Sequence, residues 1–344
     1  MDGQDELRVT RRALLAGIGL AGLGAAGLGV VEASRLLAAP APRRMRALAP
    51  LAPTPMPTAT PDTRPVSVVI TGDVMLARTV TQQILATQDA FPFEHTASFL
   101  HGFDLTVGNL ECVVSTLGSP QPKQFTFEAT PTGFARLVGS GFDVVSVANN
   151  HSGDYGKEAF ADMLHHLPGV GITPVGGGMN AAEAHSAVFK QIRSTTLCFL
   201  AYCEIEPFGF AATDTTPGHA WLTADALRAD IAAARPWCDF MIVFTHWGQE
   251  YHSAQNGHQI DMAHLAIESG ADLVVGCHPH VIQPSEIYRG KPIIYSLGNF
   301  VFDYMTNPLT SAGHLLTLNI QGKRLLDWKL VNTYIGDWGQ PALA

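Results

Sequence analysis

Apolar and polar positions along this chain follow a rhythm of short strands and amphipathic helices. Five β-branched runs read as buried strands, and each leads into a polar residue: VSVVIT, FDLTVGN, FDVVSVAN, CDFMIVFTH and ADLVVGCH. Apolar residues between them recur every three or four positions, which predicts helices over residues 80–87, 131–140, 157–167, 224–234 and 259–269. Strands that alternate with helices in this way predict an α/β fold.

Two later segments add strands that are not separated by helices. Residues 188–203 are typical of an antiparallel hairpin, and residues 314–334 are typical of two more strands. We therefore expect a layered α/β sandwich of mixed β-sheets flanked by helices, occupying residues 66–344.

The N-terminal part of the chain has a different pattern. Arg11 and Arg12 precede a glycine-diluted apolar stretch, so residues 1–33 resemble a twin-arginine export signal. An uncleaved membrane anchor is the alternative, because roughly nineteen apolar residues can just span a bilayer. Residues 34–65 are rich in Pro and Ala and are typical of a linker. Either interpretation predicts a domain outside the cytoplasm, associated with the cell envelope or tethered to the membrane.

Charge and cysteine content narrow the classes of partner and of fold. Residues 65–344 hold 13 basic and 25 acidic side chains, a net charge of −12. Such a surface repels nucleic acid, which we exclude as a partner, and it would repel an anionic substrate unless a metal supplied positive charge. The five cysteines show no regular framework, and their odd number leaves at least one unpaired.

Polar residues cluster where the predicted strands end. Six of them offer carboxylate, amide or imidazole ligands: Asp73, Glu111, Asn150, His246, His278 and His280. Any one of these could be a helix cap or a turn residue. Ligands in α/β proteins gather outside the carboxyl ends of the strands, however, so the six together predict a metal site. His278 and His280 are two positions apart, and an extended backbone would point both imidazoles to one side.

The chemistry of this set indicates the kind of metal. Mixed imidazole and carboxylate ligation suits Mn, Fe or Zn better than Mg. A carboxylate can bridge two such ions, which would lower the pKa of a water held between them. The chain has no glycine-rich phosphate loop of the Walker type, which argues against nucleotide binding by that route.

Six motifs together resemble one protein family. TGDVML, VGNLE, VANNHSGDYG, THWGQEY, GCHPHV and YSLGNFVFD occur in the order found in the CapA-type poly-γ-glutamate capsule biosynthesis proteins, a branch of the calcineurin-like metallophosphoesterase superfamily. The resemblance covers residues 66–335 and implies two divalent metal ions. It implies that Asp73, Glu111 and His280 hold the first ion, with Glu111 bridging, and that Asn150, His246 and His278 hold the second.

The resemblance also implies roles for neighbouring residues. His151 matches the superfamily's catalytic histidine, and Asp154 follows closely enough to orient its ring, unless it is a turn residue. Three more residues are expected to support the ligands or to contact substrate, with a loop or turn as the alternative: Glu250, Tyr251 and Asn299. The chain departs from the superfamily at Met75, which stands where a histidine ligand is usual, and a thioether is a poor ligand for a hard divalent ion.

The function implied is that of an exported, metal-dependent hydrolase in poly-γ-glutamate biosynthesis or processing. Its partners would be an anionic polymer such as poly-γ-glutamate and membrane-bound capsule synthase components. Two alternatives stay open: a non-catalytic polymer-binding or export factor with a residual metal site, and a general phosphodiesterase. Met75 favours the non-catalytic factor, whereas His151 favours an enzyme, because a binding protein has no evident need of a proton donor beside a metal.

Overall fold

The computed structural model describes residues 62–87 and 90–344 and places alternating strands and helices there. The helices are α1 (Arg78–Ala86), α2 (Ala97–Leu100), α3 (Thr132–Gly139), α4 (Gly156–Gly169), α5 (Ala181–Ala184), α6 (Ala224–Ala234), α7 (Gly257–Ser269) and α8 (Pro308–Ser311). The five helices expected from apolar spacing correspond to α1, α3, α4, α6 and α7, and their ends fall within two residues of those expected.

The strands include every run that the sequence indicated. They are β1 (Val66–Val74), β2 (Leu105–Leu110), β3 (Val113–Val114), β4 (Glu128–Ala129), β5 (Phe142–Ser146), β6 (Thr173–Val175), β7 (Gly177–Gly178), β8 (Val188–Ile192), β9 (Thr195–Cys203), β10 (Gly218–His219), β11 (Phe240–His246), β12 (Leu273–Cys277), β13 (Ile282–Tyr288), β14 (Lys291–Leu297), β15 (Asn299–Val301), β16 (Ala312–Gln321), β17 (Arg324–Ile335) and β18 (Pro341–Leu343). The hairpin expected over residues 188–203 is β8–β9, and the C-terminal pair is β16–β17.

Most strands of the described ranges belong to two mixed sheets. The first sheet has eight strands in the order β18-β17-β16-β1-β2-β5-β6, with β15 paired to β1. The second sheet has six strands in the order β13-β14-β12-β11-β9-β8. In the first sheet, β1, β2, β5 and β6 run parallel up to one edge, and β16, β17 and β18 continue the other side as antiparallel strands. In the second sheet, the central strands run parallel and the edge strands β8 and β13 are antiparallel. This confirms the expected α/β sandwich of mixed sheets.

Three apolar clusters show why the molecule is layered. Ile70 and Val107 of the first sheet pack in one cluster with Phe199 and Ile242 of the second, which forms the interior between the sheets. Helices α1, α3 and α4 cover the outer face of the first sheet, and α6 and α7 cover that of the second. Central strands are therefore buried on both faces, which explains why they read as continuous apolar runs.

One glycine permits a close approach of backbones beside the strand ends. A Cβ on Gly72 would lie 2.0 Å from the carbonyl oxygen of Gly298, so no larger residue fits. The next residue, Asp73, donates its N–H to that same carbonyl at 3.1 Å. The contact fixes the carboxyl end of β1 against the segment that begins β15.

The predicted export signal and most of the predicted linker, residues 1–61, lie outside the described ranges. In the part of the chain that is described, no helix has both the length and the apolar character needed to cross a membrane. All five cysteines are buried free thiols.

Candidate metal centre

The carboxyl ends of strands from both sheets converge on one buried cluster of polar side chains. Asp73 is the penultimate residue of β1 and Glu111 follows β2, while His246 ends β11 and His278 follows β12. Asp73, Glu111, His246, His278 and His280 are each at most 4% exposed. Parallel strands in register bring these ends to one edge, so residues far apart in sequence become neighbours.

Glu111 occupies the middle of the cluster. Its Oε1 lies 3.6 Å from Nε2 of His246 and 3.7 Å from Nε2 of His280. Neither of its carboxylate oxygens has a hydrogen-bond partner among the described residues, although the side chain is fully buried. Buried carboxylates are normally paired, hydrogen-bonded or bound to a metal, so this arrangement fits a site for a cation.

Asp73, in contrast, is held firmly by its neighbours. Its Oδ1 accepts a hydrogen bond from the side-chain amide of Asn109 at 2.8 Å, and its Oδ2 accepts one from the backbone N–H of His278 at 3.3 Å. Nδ1 of His280 lies 3.5 Å from Oδ2. These contacts orient the carboxylate toward the histidines.

Two overlapping groups of side chains have the spacing of metal ligands. Glu111, His278 and His280 form one group, and Asp73, Glu111 and His246 form the other; within each, the ligand atoms lie within 4.8 Å of one another. Both groups contain Glu111, the residue expected to bridge. They combine the histidines differently from the expected sets, so the assignment of each ligand to an ion stays a prediction.

The remaining predicted ligand, Asn150, also lies at the centre. Its Oδ1 is 2.9 Å from Nε2 of His246. Nδ1 of His278 is buried without a hydrogen-bond partner in the described part of the chain. A donor set of carboxylate, amide and imidazole, with orphaned buried atoms on Glu111 and His278, fits a borderline divalent ion such as Zn, Mn or Fe.

Burial and mutual repulsion shift the pKa values of these groups. Burial raises the pKa of Glu111 well above its usual range, and the charge of Asp73 raises it further. Burial, together with the charges of His278 and His280, lowers the pKa of His246 well below its usual range. Burial and the charge of His280 lower the pKa of His278 to about 3. Neutral imidazole is the form that binds metal, so these two rings are poised as ligands at neutral pH.

The contact between His280 and Asp73 opposes the effect of burial on the pKa values of both groups. Burial lowers the pKa of His280, but the hydrogen bond to Asp73 and the charge of Asp73 outweigh it and leave this pKa raised. Burial acts to raise the pKa of Asp73, yet its contacts with His280 and Asn109 leave this pKa lowered.

His151 lies at the edge of the cluster in a separate network. Its Nδ1 is 2.6 Å from Oδ2 of Asp154, so the predicted orienting contact is present. Its ring also stacks on Phe127, with ring centroids 4.0 Å apart. Burial lowers the pKa of His151 to about 4, although Asp154 acts in the opposite direction. The ring is therefore neutral at pH 7, with Nδ1 engaged and Nε2 the atom left to exchange a proton.

Residues that sequence reasoning missed hold this network in place. Lys123 donates to Oδ1 of Asp154 at 2.7 Å and to the backbone carbonyl of Asn150 at 2.8 Å. Asn149 donates to Oδ1 of Asn109 at 3.1 Å, which links the His151 loop to the hydrogen bond on Asp73. The two asparagines lie inside motifs already noted, VGNLE and VANNH, whereas nothing in the pattern marks Lys123.

The three residues expected around the centre differ in how closely they contact it. Oδ1 of Asn299 is 2.9 Å from Nδ1 of His280 and fixes that ring. Tyr251 is 57% exposed, and its ring centroid is 6.1 Å from that of His280. Glu250 is exposed, and its charge acts to raise the pKa of Glu111. Asn299 therefore contacts a predicted ligand directly, while Tyr251 and Glu250 are exposed.

The backbone at His278 and His280 and the side chain of Met75 can be compared with the sequence-based expectations. The extended backbone expected at His278 and His280 is wrong: their φ angles are 95° and 57°, in the left-handed region. Both rings still face one cluster, with centroids 5.7 Å apart, because the turn redirects them. Met75 points into the apolar core, where its sulfur accepts a hydrogen bond from the N–H of Ala77, so this position offers no ligand to the centre.

Comparisons with known proteins show which family this chain resembles. The family model described as "Bacterial capsule synthesis protein PGA_cap" matches residues 67–304. The "PGA biosynthesis protein CapA" of Bacillus subtilis (strain 168) is 31% identical over 235 residues, which cover 67% of this chain and 62% of the relative. The "Capsule biosynthesis protein CapA" of Bacillus anthracis is 29% identical over 270 residues, 76% of this chain and 66% of the relative. The chain therefore spans less than two-thirds of the length of either relative.

A solved structure extends the likeness to the fold. A phosphatase from Mycoplasma pneumoniae superposes with a TM-score of 0.51 over 78% of this chain and 94% of its own, at 10% identity. The described domain thus shares its fold with this phosphatase, and its polar cluster lies at the carboxyl ends of the strands. Given the family match over residues 67–304, and the similarity to CapA proteins of two Bacillus species, this chain belongs to the bacterial capsule synthesis protein family PGA_cap.

Proposed function

We propose that this chain is a metal-dependent hydrolase that acts on an anionic cell-envelope polymer, in the biosynthesis or processing of poly-γ-glutamate. The observation that carries the proposal is Glu111, a fully buried carboxylate without a hydrogen-bond partner in the described ranges, placed between His246 and His280. The family membership supports the link to capsule synthesis. The names of the two Bacillus relatives support poly-γ-glutamate as the polymer.

The side chains divide into holding and proton-transferring groups. Asp73, Glu111 and the three histidines would hold two divalent ions, with Asn150 as a further ligand. Bound there, such ions would lower the pKa of a water and polarise the bond to be cut. His151 is positioned through Asp154 to move a proton at its Nε2.

A metal and activity measurement tests the proposal. The full chain, purified without chelator and equilibrated with manganese, is analysed for metal per chain and for hydrolysis of bis(p-nitrophenyl) phosphate and of γ-linked glutamate oligomers. Glu111→Gln should lose metal and turnover together, while His151→Ala should keep its metal and lose turnover. Unchanged metal content in Glu111→Gln, or full turnover in His151→Ala, would contradict the proposal.

A second candidate function is supported by Met75. Because its side chain is buried in the core, the first motif supplies one ligand fewer than the superfamily pattern. A non-catalytic polymer-binding or export factor would need only partial metal occupancy. One ion per chain with polymer binding and no turnover would select this function, whereas turnover of the phosphodiester without turnover of the oligomer would select a general phosphodiesterase.

The proposed location is outside the cytoplasm, and it rests on residues 1–33 alone. Proteins with twin-arginine signals cross the membrane already folded, so the metal could be bound before export. Replacing Arg11 and Arg12 by Lys should then retain the protein in the cytoplasm. Unchanged distribution between cell fractions would reject the export route without affecting the proposed chemistry.

A further inference from the structure

A cleft opens beside the His151 network, and we call it the lysine cleft. It has a volume of about 540 Å³ and is lined by parts of residues 121–123, 150–157 and 206–210. Asn150 and Asp154 form part of its wall and contact His246 and His151, so the cleft adjoins the candidate metal centre. Cavities of about 300–1,000 Å³ hold small ligands or short segments of a chain.

Two lysines place positive charge in this cleft, although the domain as a whole is negatively charged. The whole chain has only six lysines, and Lys123 and Lys157 both line this one cleft. The domain around them carries a net charge of −12, which would repel an anionic polymer from most of its surface. The lysine cleft is therefore a place where that repulsion is reduced next to the centre.

The two ammonium groups have different partners. Lys123 lies at the inner end, where its charge is met by Asp154. Lys157 donates to the hydroxyl of Thr216 at 2.7 Å, and no carboxylate of the described residues pairs with it. The cleft also contains Glu206, which is exposed at its rim. Lys157 is thus a half-buried cation that contacts a neutral hydroxyl. Its positive charge is therefore able to pair with an anionic ligand.

We propose that the lysine cleft binds a polymer with repeating carboxylates, with Lys157 pairing to a carboxylate outside the metal centre. This inference rests on the proposed action on such a polymer and assigns where the chain lies. A polymer strand would run from Lys157 along the wall formed by Asn150 and Asp154 to the centre. Lys157 would be a binding residue, since no contact places it on the reacting bond.

The chain offers a matched control for Lys157. Lys190 also donates to a threonine hydroxyl, that of Thr173, at 2.7 Å, but it lies on β8, outside the lysine cleft. The experiment measures binding of a γ-linked glutamate decamer to the full chain by titration calorimetry, at low salt. A γ-linked isoglutamine decamer, in which each free α-carboxylate is replaced by a neutral carboxamide, serves as the neutral ligand. Circular dichroism checks that each variant is folded.

The expected results follow the charge at position 157. Lys157→Gln should bind the glutamate decamer about threefold to fivefold more weakly, as expected for a partly exposed charge pair. Lys157→Arg should bind the decamer with wild-type affinity, and Lys157→Glu should lose more affinity than Lys157→Gln. The affinity of Lys190→Gln should equal that of the wild type. Added salt should narrow these differences. Equal affinity of Lys157→Gln and Lys190→Gln, or equally tight binding of the neutral decamer, would overturn the inference.

Hydrolysis of bis(p-nitrophenyl) phosphate separates this inference from the proposed function. The small ester reaches the centre without filling the lysine cleft, so its hydrolysis by the wild type reports on the centre alone. If the wild type hydrolyses nothing but binding depends on Lys157, the hydrolase proposal fails and the lysine cleft stands. If the ester is hydrolysed and binding ignores Lys157, the lysine cleft fails alone.

Discussion

Replacing Glu111 by Gln should change stability in opposite directions with and without metal. In metal-free protein the carboxylate is buried, without a hydrogen-bond partner in the described ranges, and close enough to Asp73 for that charge to raise its pKa. Leaving such a group unpaired costs about 1–3 kcal/mol or more. The neutral amide of Gln removes the repulsion and can donate to Asp73. We therefore expect the metal-free variant to be at least as stable as the wild type.

With manganese the order should reverse. An ion present at about a hundred times its Kd stabilises the folded state by about 2.7 kcal/mol. For a domain of this size about 1 kcal/mol corresponds to roughly 2–4 °C in Tm, so manganese should raise the wild-type Tm by roughly 5–10 °C. Glu111→Gln should lose most of this increase, because Glu111 belongs to both groups of ligands.

The assay is thermal unfolding followed by circular dichroism, in EDTA and in excess manganese. Glu128→Gln is the control, because Glu128 lies on β4 outside the cluster and has a pKa that partial burial also raises. It should respond to manganese like the wild type. The reasoning is refuted if Glu111→Gln is much less stable than the wild type in EDTA. It is also refuted if manganese raises the Tm of Glu111→Gln by as much as it raises that of the wild type.

Three further predictions concern other parts of the molecule. His151→Asn should lower hydrolysis of a phosphodiester by about 10²–10⁴-fold while the metal content stays unchanged, as a rate assay and metal analysis would show. Met75→His should lower stability to urea by about 1–3 kcal/mol and leave manganese affinity unchanged, because the side chain is buried in the core away from the ligands. Arg193 holds the pKa of Asp104 down to about 2, so Asp104→Asn should cost up to about 1 kcal/mol near pH 7. The lowered pKa of Asp104 stabilises the folded state at pH values above the pKa of the unfolded chain, about 4. The difference in stability between Asp104→Asn and the wild type should therefore diminish below about pH 4 and vanish below about pH 2, as stability measured at a series of acid pH values would show.

The strand ends could be predicted from sequence because their physical cause is local. A central strand buried on both faces is mostly apolar, so charged or imidazole side chains are expected only where it leaves the core, as at Glu111 and His246. Parallel order then brings these exits to one edge. Helix ends were equally accessible, because α6 and α7 begin at polar caps, Thr223 and Asn256, that accept hydrogen bonds from the first turn.

The remaining features of the site depend on tertiary packing. Left-handed φ angles are rare outside glycine, so the sequence did not indicate that His278 and His280 adopt them. Lys123 reaches Asp154 from a loop without periodicity, across 31 positions of sequence. The sequence showed that Met75 is a poor ligand, but its burial in the core follows from neighbours that only the folded chain assembles.

The origin of the ligands in both sheets has a consequence for how the domain holds together. Asp73 and Glu111 belong to the first sheet, and His246 and His278 to the second. A bound ion would therefore act as a cross-link between two halves that otherwise adhere through apolar packing. Without the ion, we expect the two sheets to unfold as two separate cooperative units that open at different rates. Hydrogen exchange in EDTA should accelerate first at the ends of β2 and β11, while their opposite ends stay protected.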